Sequence, residues 1–210
     1  MSTLTLIRHG QVANFESDGD RLSPKGEQQA RALGEWWRRN SVNFDEIYSG
    51  TLNRHIETAR AIFETIPEAR PGWNEYDAHG VLQAAHREAA PPGDARAFQR
   101  MFEASMLKWL EGQTAEGVEP WPAFRDRVLK ELARIVGAGG SGRRVAVFTS
   151  GGPIGVAVQT AMAAPDRSFL EVNWRVRNCS VTEFVFGGGR ITLDAFNSLA
   201  HLDSALHTWR

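Results

Sequence analysis

Three times along the chain a short apolar run stops at polar or glycine residues and hands over to a segment with helical spacing. This alternation constrains the fold more than any other feature. Leu4 to Ile7 ends in Arg8-His9-Gly10, Asp45 to Ser49 leads into Gly50-Thr51, and Val145 to Thr149 ends in Ser150-Gly151-Gly152-Pro153. The helices between them are equally legible. Ser23-Pro24 supplies an N-cap and a proline at the first helical position, and Ala30, Leu33, Trp36 and Trp37 then recur at helical spacing up to Arg39. A second helix is predicted from about Leu52 to Ile66, with Ile56, Ala59, Ile62 and Phe63 on one face and Pro67 as its stop. Others are predicted from Pro122 to Val136 and from Gly151 to about Ala164. Strands alternating with helices imply an α/β three-layer sandwich with a mostly parallel central sheet, and Val145 to Thr149, the most strand-like run, belongs at its centre. Val181 to Phe186 and Ile191 to Phe196 flank Gly187-Gly188-Gly189-Arg190, an antiparallel hairpin for the sheet edge. Arg70 to Trp73 reads as a short extended segment. Strand signals then vanish from Asn74 to Pro120. Residues 78–120 read as an excursion over the active site: a loop with Pro91-Pro92-Gly93, then a helix carrying Phe98, Met101, Phe102, Trp109 and Leu110.

Composition narrows the function classes. The 210 residues suit a single domain spanning 1–210, and no internal repeat divides them. Lys and Arg total 24 against 25 Asp and Glu, so no net field gathers nucleic acid or an anionic membrane. No run reaches the length of a membrane span, and Met1-Ser2-Thr3 enters a strand pattern directly, which predicts a cytoplasmic protein. Cys179 is the sole cysteine and reads as a buried, inert thiol. None of the six histidines falls in a recognisable ligand pair, so no metal ion and no cofactor is expected.

In a parallel sheet all three strand-to-helix junctions lie at the carboxyl edge, where helix N-termini present free amides to anions. The first junction alone is weak, since Arg-His-Gly also describes a surface arginine beside a partly buried histidine. Other features have plainer explanations. Gly137 to Gly142 precedes a strand, whereas a phosphate loop must follow one. Phe148 occupies the first glycine position of a Gly-x-Ser-x-Gly elbow, which argues against a serine hydrolase. The aromatic residues Trp36, Trp37, Phe98, Phe102 and Trp109 are spaced as packed helix faces.

In order and spacing, Leu6-Ile7-Arg8-His9-Gly10-Gln11, Leu22 to Ala30, Ser49 to Ala59 and Phe124 to Val128 resemble the histidine phosphatase superfamily, whose fold is phosphoglycerate mutase-like. The resemblance runs from Leu4 to about His201 and is thinnest from Ala78 to Trp121. It implies a covalent phosphohistidine route in which His9 is the nucleophile. Arg8 and Arg54 would grip the phosphate oxygens, since a planar guanidinium matches two oxygens at once. Gly10 would admit the backbone closely. Glu75 matches the family's proton donor, with Asp77 as the alternative, and a neighbouring phosphate would raise its pKa.

One element departs from this pattern. Where the family carries a second histidine before Gly-Gly, the chain has Ser150, followed by Gly151 as a further phosphate contact. Serine donates a hydrogen bond but supplies no cation, which implies a slower enzyme. His55, directly after Arg54, would point about 100° away from it on a helix, and so lie behind the pocket or at the surface. His79 and His86 sit in the excursion, His201 and His207 in the C-terminal tail, and Asn14 is one position off a family phosphate contact. The expected function is thus a metal-independent phosphomonoesterase acting on a small phosphorylated substrate. The alternatives are a catalytically idle relative that binds phosphorylated ligands or a partner protein, and a phosphoglycerate mutase-like phosphotransferase. Arg87, Arg96 and Arg100 are candidates for a second anionic group of the substrate, or else a solvated basic face.

Overall fold

The structure, a computed structural model, describes residues 1–13, 20–85 and 94–209. β1 (Ser2–Arg8) and β4 (Arg144–Thr149) pair in parallel from Thr3 opposite Arg144 to Arg8 opposite Thr149. β2 (Glu46–Ser49) lies parallel along the other side of β4, and the two-residue β3 (Glu68–Ala69) extends the sheet beyond it. β5 (Val181–Gly187) runs antiparallel to β1 and turns into β6 (Arg190–Ser198), giving the order β3-β2-β4-β1-β5-β6. Gly188 and Gly189 make that turn with φ of 58° and 76°, which a residue with a Cβ adopts only at a cost.

Because successive strand side chains point to opposite faces, the sheet is covered on both. Leu4, Leu6, Val145 and Val147 pack with Phe124, Val128 and Leu132 of α5 (Trp121–Gly137) and with Ile154 and Val158 of α6 (Gly151–Ala161). Ile7, Ala146 and Phe148 meet Ala30, Leu33 and Trp37 of α1 (Pro24–Arg39) and Ala59 of α2 (Asn53–Arg60). This is the three-layer α/β sandwich with β4 inside the sheet and the hairpin at its edge. α1 starts where the sequence indicates: Ser23 Oγ accepts the Gly26 amide at 3.1 Å, with Pro24 at the first helical position.

The differences are local. α2 ends at Arg60, not Ile66, because the next residues turn tightly and lay Phe63 against Trp37 and Phe148. Of Arg70 to Trp73 only Arg70 is extended; Pro71–Trp73 form a 3-10 turn after β3. Among its described residues the excursion holds two helices, α3 (Ala78–Ala85) and α4 (Ala95–Leu110), and α7 (Ser168–Asn173) is a further short one. Asp77 Oδ1 caps α3 by accepting the Gly80 amide at 2.9 Å. α3 and α7, of eight and six residues, carry no proline or glycine stop and no regular apolar repeat that would set them apart in the sequence. α4 is docked by aromatic rings: Trp109 crosses Trp121 at 5.4 Å, and Trp121 lies 4.6 Å from Phe169. Each such buried ring contributes about 1.5–3 kcal/mol from apolar area alone. Among the described residues no helix is long and apolar enough to cross a membrane.

Candidate active site

The parallel register brings the site together. Arg8 faces Thr149 across β1 and β4, and Ser49 faces Phe148 across β2 and β4, so the three junctions leave the sheet side by side at its carboxyl edge. A cleft of roughly 1110 Å³ opens there, with Arg8, His9, Arg54, Glu75 and Gly151 on its wall. Ser150 is fully buried and lies behind that wall.

His9 is 6% exposed, and its Nδ1 stands 2.7 Å from the Gly10 carbonyl; that oxygen can only accept a hydrogen bond, so Nδ1 keeps the ring proton and Nε2 carries none. Burial, then Arg8, Arg54 and His55, lower its pKa well below the usual histidine value, so the ring is neutral at neutral pH. The close fit of the loop around His9 depends on two glycines. A Cβ on Gly10 would lie 2.5 Å from the Gly26 carbonyl oxygen, and one on Gly26 would lie 2.1 Å from that of Gln11. Thr58 Oγ1 fixes the loop further by accepting the Gly10 amide at 3.0 Å. Arg8 Nη1 donates to the Val176 carbonyl. Arg54 pairs with Asp20 at 2.8 Å, and Asp20 also accepts the Asn53 amide at 2.7 Å, so one carboxylate orients the guanidinium and starts α2.

Glu75 accepts the Gly152 and Tyr76 amides, both at 3.1 Å. Burial raises its pKa against the lowering by these amides and by Arg54 and Arg8. The shift is thus present without any phosphate, so desolvation rather than like-charge repulsion is its first cause. A Cβ on Gly152 would sit 2.0 Å from Glu75 Oε1, which accounts for the second glycine of that turn. Asp77, the alternative donor, also lines the cleft but is committed to capping α3.

Some sequence expectations change. Of the two places expected for His55, behind the pocket or at the surface, the structure has the first: the ring is fully buried and off the cleft wall, with Nε2 2.7 Å from Ser150 Oγ. Its spacing with Ala59 and Ile62 was the available signal for a buried helix face. Arg96 and Arg100 are exposed and off the cleft wall, where Arg167 and Arg175 stand instead. His79 lines the cleft and bonds Gln83 at 2.8 Å. Asn14, His86, Arg87 and Pro91-Pro92-Gly93 lie outside the described residues. Arg127 has no sequence signal at all. From α5 it donates to the carbonyls of Gly72 at 3.0 Å and Asn74 at 2.7 Å, forks onto Glu119, and so holds the segment that carries Glu75. The cleft wall also carries Leu82, Phe98, Phe102, Leu170 and Trp174, together with the polar Gln99, Glu103 and Glu171. Among the described residues no three His, Cys, Asp or Glu side chains are grouped to hold a metal.

A 2,3-bisphosphoglycerate-dependent phosphoglycerate mutase of Lactobacillus acidophilus is 35% identical over 101 residues, which are 42% of this chain and 44% of that protein. The match thus spans less than half of that curated relative's length. Among solved structures, a phosphoglycerate mutase from Bacillus anthracis superposes with a TM-score of 0.69 at 22% identity, covering 95% of this chain and 94% of that one. A phosphoserine phosphatase mutant from Entamoeba histolytica in complex with phosphoserine superposes with 0.66 at 22% identity, covering 96% and 100%. At these identities the structures speak for the fold. The sequence profile of the histidine phosphatase superfamily (branch 1) matches residues 4–199, and the chain belongs to that family.

Proposed function

We propose that the protein is a metal-independent phosphomonoesterase that forms a phosphohistidine on His9. The observation that carries this reading is the neutral, Gly10-anchored His9 ring on one cleft wall with Arg8, Arg54 and a carboxyl group whose pKa is raised. In the first step Nε2 attacks phosphorus in line with the ester oxygen, the P–O bond breaks, and Glu75 gives its proton to the leaving alcohol. In the second the Glu75 carboxylate takes a proton from a water molecule whose oxygen attacks phosphorus. The P–N bond then breaks and releases inorganic phosphate. Both groups are returned to their starting states. Arg8 and Arg54 meet the equatorial oxygens, and the amide end of α6 at Gly151 adds a donor, so positioning and charge neutralisation come from the chain itself. The apolar and aromatic side chains on the cleft wall suit a substrate whose alcohol carries apolar or aromatic surface.

The relatives that are mutases favour a second reading, transfer of the phosphoryl group to an alcohol instead of water. A screen of phosphomonoesters with and without a chelator, and with an added alcohol acceptor, tests both. Turnover should be indifferent to the chelator, deliver phosphate to water, and vanish in His9→Ala while the melting midpoint stays nearly unchanged. Turnover that needs a metal, or that survives in His9→Ala, contradicts the proposal.

A further inference from the structure

His55 stands in the first turn of α2 and turns its ring inward, with no exposed surface. Its surroundings are shaped to it. Gly50 has no side chain where the ring passes, and a Cβ there would lie 2.2 Å from Nδ1. Ser150 is the N-cap residue of α6, where a serine hydroxyl ordinarily bonds the first free amides of the helix. Here Oγ makes no capping bond and meets His55 Nε2 instead. On its other side the His55 ring lies 5.7 Å from the His9 ring, centroid to centroid, with the planes inclined by 34°.

Nδ1 of His55 has no partner among the described residues. A proton there would be an orphaned buried donor, so the proton sits on Nε2 and is donated to Ser150 Oγ. For stability alone an apolar side chain would serve better, because a buried polar atom without a partner is costly. We propose that the His55–Ser150 pair supplies a second imidazole beside the nucleophile, and that His55 is a positioning residue holding the His9 ring at the tilt that aims Nε2 at phosphorus. This rests on the phosphatase reading of His9. The resemblance puts a histidine at the β4–α6 turn. In this chain the ring enters from α2, and the small Ser150 and the bare Gly50 leave it room.

Kinetics on p-nitrophenyl phosphate, melting midpoints and histidine nitrogen NMR test the pair. The proteins compared are the wild type, His55→Leu with Ser150→Ala, His55→Ala with Ser150→His, and His9→Ala. In the apolar pair kcat should fall by about 10- to 100-fold, as a misaimed nucleophile does. KM should stay within about twofold and the melting midpoint should not drop, because both polar partners leave together. The exchanged pair returns an imidazole from α6 and should recover most of that loss. In NMR, His9 should carry its proton on Nδ1 in the wild type, whereas in the apolar pair the unheld ring should swing off the Gly10 carbonyl part of the time and so populate both tautomers. An apolar pair with wild-type kcat and an unchanged His9 tautomer overturns the proposal, as does an exchanged pair no faster than the apolar one. A wild type without turnover, or turnover surviving in His9→Ala, overturns the phosphatase reading instead. In that case the NMR comparison alone decides whether the pair holds His9.

Discussion

A neutral base and a protonated acid in one pocket need pKa values pushed in opposite directions, and burial does both. It lowers His9, helped by Arg8 and Arg54, and raises Glu75 against the same two arginines. On the proposed phosphohistidine route the competent state has His9 deprotonated and Glu75 protonated. Turnover of alkyl phosphates should therefore rise as pH climbs through the lowered His9 value and fall as it passes the raised Glu75 value. Glu75→Gln should slow poorly activated alkyl phosphates at least about tenfold more than aryl phosphates, whose leaving groups need little protonation, and should erase the alkaline limb. Equal losses on both substrate classes, or an alkaline limb that persists, would remove Glu75 from the proton-donor role.

At the scale of elements, the site depends on how helices hold loops. The Asn74-Glu75 segment has no regular structure of its own and is held through its carbonyls by Arg127 of α5, which also lies over the Phe124 ring at 4.7 Å. Arg127→Lys keeps a charge but loses the fork that reaches carbonyls and Glu119 together. It should cost about 1–2 kcal/mol, since hydrogen bonds from a charged group are the stronger kind and some are retained. That loss lowers the melting midpoint by about 2–8 °C for a chain of this size. Alkyl phosphate turnover should decline with it, because Glu75 loses its backbone support. A Lys variant with unchanged midpoint and unchanged alkyl-to-aryl ratio would show that α5 does not position Glu75.

At the scale of the whole molecule, what the sequence makes legible follows from what periodicity and turn chemistry encode. The order strand, turn, helix is readable at Arg8-His9-Gly10, Ser49 to Arg54 and Ser150 to Pro153 because each apolar run ends in residues that break it. The parallel register then brings those turns to one edge. The short α3 and α7 and the early end of α2 are set by tertiary packing, such as Phe63 on Phe148, which local pattern does not carry. The same holds at the site. His9, Arg8 and Arg54 can be read from motif spacing, whereas the Arg127 and Asp20 anchors and the His55–Ser150 bond join residues far apart in the chain. Passage of phosphate through His9 is tested by rapid quenching of the protein with a radiolabelled phosphomonoester, followed by peptide mapping. The prediction is an acid-labile, base-stable label on the peptide holding His9, formed and lost at rates compatible with turnover and absent from His9→Ala. Turnover without a labelled intermediate, or an equal label on His9→Ala, would contradict it.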